Sequence, residues 1–262
     1  MGSDQPPLLL DVADGIATVT LNRPHALNAI NRALAQALSA TCGLLRDRDD
    51  VRVVILTGAG ERAFCAGADL RERGGMTHSE RNAHRAVIEA AAEDLANLPM
   101  PSIAAVRGYA LAGGTELAIA CDLRVAGTDA VFGVPEVKIG IFPGAGGVLR
   151  LPPLIGLGNA RDLLYTGRHI MADEAATIGL VTRLVASEDV LPAARDLAAQ
   201  IAANAPLALR AVKDALRVSN GRPAAEARDE VNQRRMALDD TSDYDEGLRA
   251  FAEKRPPRFT GQ

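Results

Sequence analysis

Strand-like and helix-like segments alternate through the first two thirds of this chain, and helices alone finish it. That order favours an α/β architecture with an all-α tail over bundles, sandwiches or barrels. "LLLDVADGIATVTLN" (8–22) reads as two strands about an Asp14-Gly15 turn, a good hairpin signal. Arg23-Pro24 breaks the second strand. From Asn31 to about Arg46, the spacing of Leu34, Leu38, Leu44 and Leu45 predicts a helix. "VRVVILTGAG" (51–60) is a buried strand ending in a glycine turn. Ser79 to Leu98 is predicted helical, with Ser79 as the cap and Pro99 and Pro101 as the stop. "SIAAV" (102–106) is a strand, "GTELAIAC" a short helix and "DLRVA" a short strand. After "PGAGG" (143–147) the chain turns helical, with a strand in "GLVTRLV" (179–185). Helices follow at about 189–203, 206–218, 223–238 and 242–254.

No internal repeat and no Gly-, Ser- or Pro-rich linker divides the 262 residues. Apolar residues, at 48%, suffice for one sizeable core. A net charge of −4 implies no polyanion affinity, and with no Trp and 3% aromatics there is little to stack bases on, so nucleic acid is not the expected partner. Cys42, Cys65 and Cys121 have no ligand-like spacing, and an odd count without a framework points to a reducing compartment. The N-terminal "MGSDQPPLLL" lacks a basic leader, and no window reaches the ~18 apolar residues of a membrane span. A cytoplasmic protein is the expectation.

Several chemistries find no motif. There is no GxxxxGK[ST], no HExxH and no GxSxG, and "GAGERA" (58–63) lacks the third glycine of a dinucleotide fingerprint. His25, His78, His84 and His169 have no metal-ligand spacing. "PGAGG" either presents amides to an anion at a helix start or is a plain glycine turn.

Two segments remain, "AFCAGADL" (63–70) and "GYALAGGTEL" (108–117), each a strand end running into a small-residue loop. Small residues allow close approach to the backbone. If the two strands are neighbours, Ala68 and Gly113 can each aim an N–H at one point, as a negatively charged oxygen requires. Taken singly, each loop is also readable as an ordinary turn. Glu116 lies one helical turn beyond Gly113, and Glu136 follows Pro135, whose ring fixes the local backbone. Two carboxylates beside a polarised carbonyl suit acid/base chemistry. The competing readings are a helix-start acid for Glu116 and a solvated loop charge for Glu136.

These segments resemble the crotonase superfamily, and most closely its enoyl-CoA hydratases. The resemblance rests on five stretches in order: "RPHALNAIN" (23–31), "AFCAGADL", "IAAVRGYALAGGTELAIACDLRVA" (103–126), "FGVPEVKIGIFPGAGGVLRLPPLIG" (132–156) and "FAEKRPPRF" (251–259). It implies a spiral of ββα turns over about 1–188 that carries an acyl-CoA site. It also implies a C-terminal helical region, 189–262, that assembles the chain into a homotrimer or a hexamer. The implied oxyanion amides are those of Ala68 and Gly113, and the implied catalytic residues are Glu116 and Glu136. In this reading Glu116 directs water at C3 of a 2-enoyl thioester and Glu136 delivers a proton to C2. The substrate would run past Arg23, Ala26, Leu27, Ala66, Asp69, Leu70, Gly114 and Pro135. Its phosphates would meet Arg71 and Arg73, or Lys254 and Arg255, although all four are also ordinary surface charges. No cofactor or metal is expected, since coenzyme A belongs to the substrate. The chain departs from the family at Ala112, where a glycine is usual, and at Arg107, where Asn is frequent. Other crotonase reactions, such as isomerisation or a pathway-specific dehydration, and a non-catalytic acyl-CoA binder are the competing functions.

Overall fold

The computed structural model describes residues 5–262. The hairpin strands β1 (Leu8–Ala13) and β2 (Ile16–Leu21) pair antiparallel about Asp14-Gly15, and α1 (Arg32–Arg46) follows, capped by the Asn31 side chain. Next come β3 (Val53–Gly58), β4 (Ala63–Cys65), the short α2 (Leu70–Arg73) and α3 (His78–Ala96). The chain continues through β5 (Ser102–Val106), β6 (Tyr109–Leu111), α4 (Gly113–Ala120), β7 (Leu123–Gly127) and β8 (Val131–Gly133). A 3-10 turn (Pro135–Ile139) leads into α5 (Gly147–Thr166), which is broken at Gly156. Then follow β9 (His169–Met171), α6 (Ala172–Thr177), β10 (Arg183–Val185), α7 (Val190–Ala202), α8 (Pro206–Ser219), α9 (Ala224–Met236) and α10 (Ser242–Glu253).

The strands form two sheets. The larger has the order β1-β2-β3-β5-β7-β10, parallel from β2 onward, and the smaller has the order β4-β6-β8-β9. Successive strand pairs therefore split between the sheets: β3, β5 and β7 enter the large one, and β4, β6 and β8 the small one. Each pair advances the chain by one turn of a spiral. The result is mixed α/β, as the alternation in the sequence predicts.

The continuous apolar runs of β3 and β5 reflect burial on both faces. Val54, Leu56, Ala104, Val106 and Ala126 face a core shared with α1, α3, α4 and α5. Their neighbours Val53, Ile55, Ile103, Ala105 and Val125 face α7, where Val190, Ala194, Leu197 and Ala198 meet them. Polar ties hold the last helices to this body. Lys213 of α8 donates to the Asp122 carboxylate (2.7 Å) and the Met100 carbonyl (2.9 Å). Arg52 donates to the carbonyls of Ala202 and Phe259. Among the described residues no helix is long and apolar enough to cross a membrane.

Details of the elements differ from the sequence reading. The cap of α3 is Thr77, not Ser79; Thr77 and Glu80 satisfy each other's backbone N–H groups in a capping box, so the helix starts earlier. The strand expected over 179–185 is only Arg183–Val185, because Gly179 takes a positive φ and ends α6 in a turn. The segments 63–65 and 109–111, read as the ends of the preceding strands, are separate strands of the small sheet. At three residues each they are too short to display a period.

Candidate active site

The large sheet brings β3 and β5 side by side, and the small sheet does the same for β4 and β6. The two loops that follow are therefore neighbours. Ile30 pairs with Ala68 in a single parallel bridge: the Ile30 N–H donates to the Gly67 carbonyl (2.7 Å) and the Asp69 N–H to the Ile30 carbonyl (2.9 Å). Peptide groups alternate along an extended segment, so the Ala68 N–H faces away from Ile30. It has no acceptor among the described residues. The Gly113 N–H also lacks one; it is among the donors that the first turn of α4 leaves free. A Cβ on Gly113 would lie 3.8 Å from the Ala68 nitrogen, and one on Gly67 would lie 3.3 Å from the Gly113 nitrogen. Two free donors thus sit together at the start of a helix, where the dipole adds partial positive charge.

The flanking residues explain the small side chains. A Cβ at Gly114 would stand 1.9 Å from the Cys65 carbonyl oxygen, so only glycine fits there. Ala112 lies at φ 52°, ψ −125°, a region that favours glycine, and its N–H is anchored on the Gly133 carbonyl (2.8 Å). Thr115 is buried, and its hydroxyl contacts the carbonyls of Ala110 and Gly133.

Glu116, one turn into α4, is 3% exposed. Its Oε1 accepts from the Gly147 N–H at 2.8 Å. The glycine turn "PGAGG" therefore does present an amide at a helix start, and its partner is a carboxyl group of the same chain. Burial pushes the Glu116 carboxyl above its ordinary value, against the Gly147 and Ala145 amides and the Arg150 charge. Glu136 sits on the 3-10 turn behind Pro135 and is 6% exposed. Burial raises its carboxyl to about 7, its own backbone amide opposes the rise, and the charge of Glu116 adds to it. Its Oε2 has no hydrogen-bond partner among the described residues. A buried, unpaired carboxylate oxygen is costly unless something arrives to meet it. Glu136 is thus no solvated loop charge, and Glu116 is more than a helix-start acid.

Of the residues expected along the substrate, those in 23–27 and 66–70 form a braced loop pair, while Gly114 lies in α4 and Pro135 starts the 3-10 turn. Ala26 ends a short 3-10 turn, and the Leu27 carbonyl accepts from the Ala66 N–H (3.1 Å), which ties the segment 23–27 to the segment 66–70. Arg23 pairs with Asp69 at 2.9 Å and also donates to the Ala29 carbonyl. Asp69 caps α2 through the N–H groups of Arg71 and Glu72. Burial pushes Asp69 up, but Arg23 and these amides outweigh it and hold the carboxyl below its ordinary value. Leu70 is exposed beside them. Among the candidate phosphate partners, Arg73 donates to His84 (3.1 Å) and Arg255 is gripped by Glu246 and Glu253, so both are engaged within the chain.

The sequence reading missed three residues that shape the site. Asn28 is fully buried at a left-handed φ of 55° and binds the backbones of Arg23, Ala59 and Ala63. Its usable signal is Asn in a short loop, since Asn tolerates that conformation and carries both donors and acceptors. His84, also fully buried, bridges Glu72 and Arg73. Arg150 meets the turn that binds Glu116, and nothing local in the sequence signals that. Among the described residues no group of three His, Cys, Asp or Glu side chains is arranged to hold a metal ion.

A spiral of split strand pairs with free amides at the edge of the small sheet defines a crotonase-fold protein. The enoyl-CoA hydratase/isomerase family model matches residues 11–262. The short-chain-enoyl-CoA hydratase of Clostridium acetobutylicum is 42% identical over 209 residues, 80% of each chain. The crystal structure of enoyl-CoA hydratase from Bacillus anthracis superposes with a TM-score of 0.96 at 41% identity, covering 98% of this chain and 100% of that one. The enoyl-CoA hydratase structure from Mycobacterium tuberculosis H37Rv gives 0.90 at 39% identity, covering 98% and 100%. The chain belongs to the enoyl-CoA hydratase/isomerase family of the crotonase superfamily.

Proposed function

We propose that this protein is an enoyl-CoA hydratase, adding water across the 2,3 double bond of a 2-enoyl-CoA to give the 3-hydroxyacyl-CoA. The observation that carries the reading is the pair of buried glutamates, Glu116 in the first turn of the helix that Gly113 starts and Glu136 within reach of the Glu116 charge, together with the two free amides of Ala68 and Gly113. Bound with its carbonyl oxygen between those amides, the thioester gains stabilisation as enolate charge develops, worth about 3 kcal/mol per donor. Glu116, held by the Gly147 amide, orients water at C3 and takes its proton. Glu136, raised to about 7, is available in its protonated form near neutrality to protonate C2. The braced segments 23–27 and 66–70 supply a rigid wall for the coenzyme A portion. Relatives named as hydratases, such as that of Clostridium acetobutylicum, support hydration, and the two retained glutamates favour it over isomerisation or a dedicated dehydration. We further propose assembly as a trimer or hexamer, because the α8–α10 region leaves Val212, Leu216, Met236, Leu248 and Phe251 exposed. The three buried free thiols suit a reducing compartment, and we take the cytoplasm as its location.

The test is turnover across 2-enoyl-CoA chain lengths, with the product identified. Hydratase activity on short substrates that falls by about 10²-fold or more in Glu116→Gln supports the reading. Tight acyl-CoA binding without turnover, or a product with a shifted double bond, would replace it.

A further inference from the structure

We propose that Arg150 is a positioning residue for Glu116: by gripping the glycine turn Gly144–Gly147, it fixes the peptide groups that hold the Glu116 carboxylate. This rests on the acid/base role proposed for Glu116. The turn is Pro143-Gly144-Ala145-Gly146-Gly147, and three glycines in so short a stretch leave much conformational freedom to be lost. The guanidinium of Arg150 removes part of that freedom. Its Nη1 donates to the Ala145 carbonyl at 2.9 Å, and its Nη2 donates to Glu93 of α3 at 2.6 Å. The Arg150 backbone N–H donates to the Gly146 carbonyl at 2.8 Å. The Gly146–Gly147 peptide thus gives its N–H to Glu116 and its carbonyl to the backbone N–H at position 150. The Ala145 carbonyl lies on the preceding peptide, and the Ala145 amide also faces Glu116. The guanidinium therefore grips the Ala145–Gly146 peptide, which lies between the two peptides whose N–H groups face Glu116, while the Gly146 carbonyl is held by a backbone bond of the helix.

The sequence is adapted to this grip. Gly146 has φ +108°, and a Cβ there would fall 1.7 Å from Arg150 Nη1, so the guanidinium occupies space that only glycine leaves open. At Gly147 a Cβ would approach Glu116 Oε1 to 3.1 Å. The Arg150–Glu93 pair is half exposed and stabilises little by itself. Its effect is to aim the guanidinium, anchoring the turn to α3.

The charged groups that face Glu116 are Arg150 from α5, Glu89 from α3 and Glu136 from the 3-10 turn, with Glu93 behind Arg150. Arg150 is the one cation of the set and favours the ionised form of Glu116. Its removal raises the Glu116 carboxyl further, so a base that works ionised loses activity at a higher pH on the acidic side.

Kinetics of Arg150→Gln, Arg150→Lys and Glu93→Gln, with Glu116→Gln as reference, test this on a short 2-enoyl-CoA. The expected result for Arg150→Gln is a kcat lower by about 10- to 10²-fold, KM within about twofold, and the acidic limb of the kcat profile moved to higher pH. Arg150→Lys, which keeps the charge but not the fork, restores the limb and only part of kcat. Glu93→Gln, at an exposed position, gives a smaller loss in the same direction and serves if Arg150→Gln fails to fold. An Arg150→Gln protein with unchanged kcat and an unmoved acidic limb, where Glu116→Gln is inactive, overturns the positioning role alone. Full turnover in Glu116→Gln overturns the reading of Glu116 itself.

Discussion

Glu136 shows how much a single side chain gains from its surroundings. An ordinary glutamate titrates near 4.5, and this one near 7, so between those values the folded protein binds more protons than the unfolded chain. Its contribution to stability is therefore fully present below pH 4.5 and declines as pH rises, with the loss complete above about pH 7. The loss is on the order of 3 kcal/mol. Glutamine has the same shape and never ionises. At pH 8, Glu136→Gln is expected to be more stable than the native protein in chemical denaturation, with the difference shrinking to nothing near pH 4. The same variant is expected to lose about 10²-fold or more in turnover, as fits a site that trades stability for chemistry. Equal denaturation midpoints at pH 8 would show that Glu136 carries no buried charge.

At the scale of one element, the first turn of α4 separates two kinds of glycine. A methyl group on Gly113 meets only the end of the Ile30 side chain, at 3.3 Å, and points toward the Ala68 amide. Gly113→Ala is therefore expected to fold with near-native stability and to lose about 10²- to 10³-fold in turnover as the thioester oxygen is kept from the amides. On Gly114 the same methyl group collides with the Cys65 carbonyl at 1.9 Å, between α4 and β4. Gly114→Ala is expected to lower the unfolding temperature sharply, because two packed backbones must separate. Circular dichroism melts alongside steady-state assays distinguish the two. Similar loss of fold in both variants would contradict the geometry of this turn. In the sequence these neighbours look alike; the difference between them comes from β4, a strand too short to be read from its pattern.

For the whole molecule, the open question is what covers the apolar residues of the last helices. Phe251 is 85% exposed, and Val212, Leu216, Met236 and Leu248 join it on α8, α9 and α10. Scattered exposed apolar residues are common, but five large ones on the three closing helices are more apolar surface than such a cap needs. The proposed trimer or hexamer predicts a mass of three or six times 27.5 kDa by light scattering at micromolar concentration. It also predicts that Phe251→Glu with Leu248→Glu shifts the protein to smaller species. A native protein that stays monomeric over that range would remove the assembly.

What the sequence determines by itself is local. The apolar runs specify the buried strands, the spacing of leucines and alanines specifies α1 and α7, and Asp14-Gly15 specifies the hairpin, because period and turn chemistry act between residues close in the chain. The small-residue loops and the two glutamates are equally legible, and their order identifies the family. Only the tertiary structure decides what those residues meet. The stacking of spiral turns sets the Gly113 amide beside that of Ala68, buries Glu136 until its proton is held to about 7, and turns the glycine stretch 143–147 toward Glu116. Desolvation and close approach depend on segments far apart in the sequence, so no window along the chain contains them.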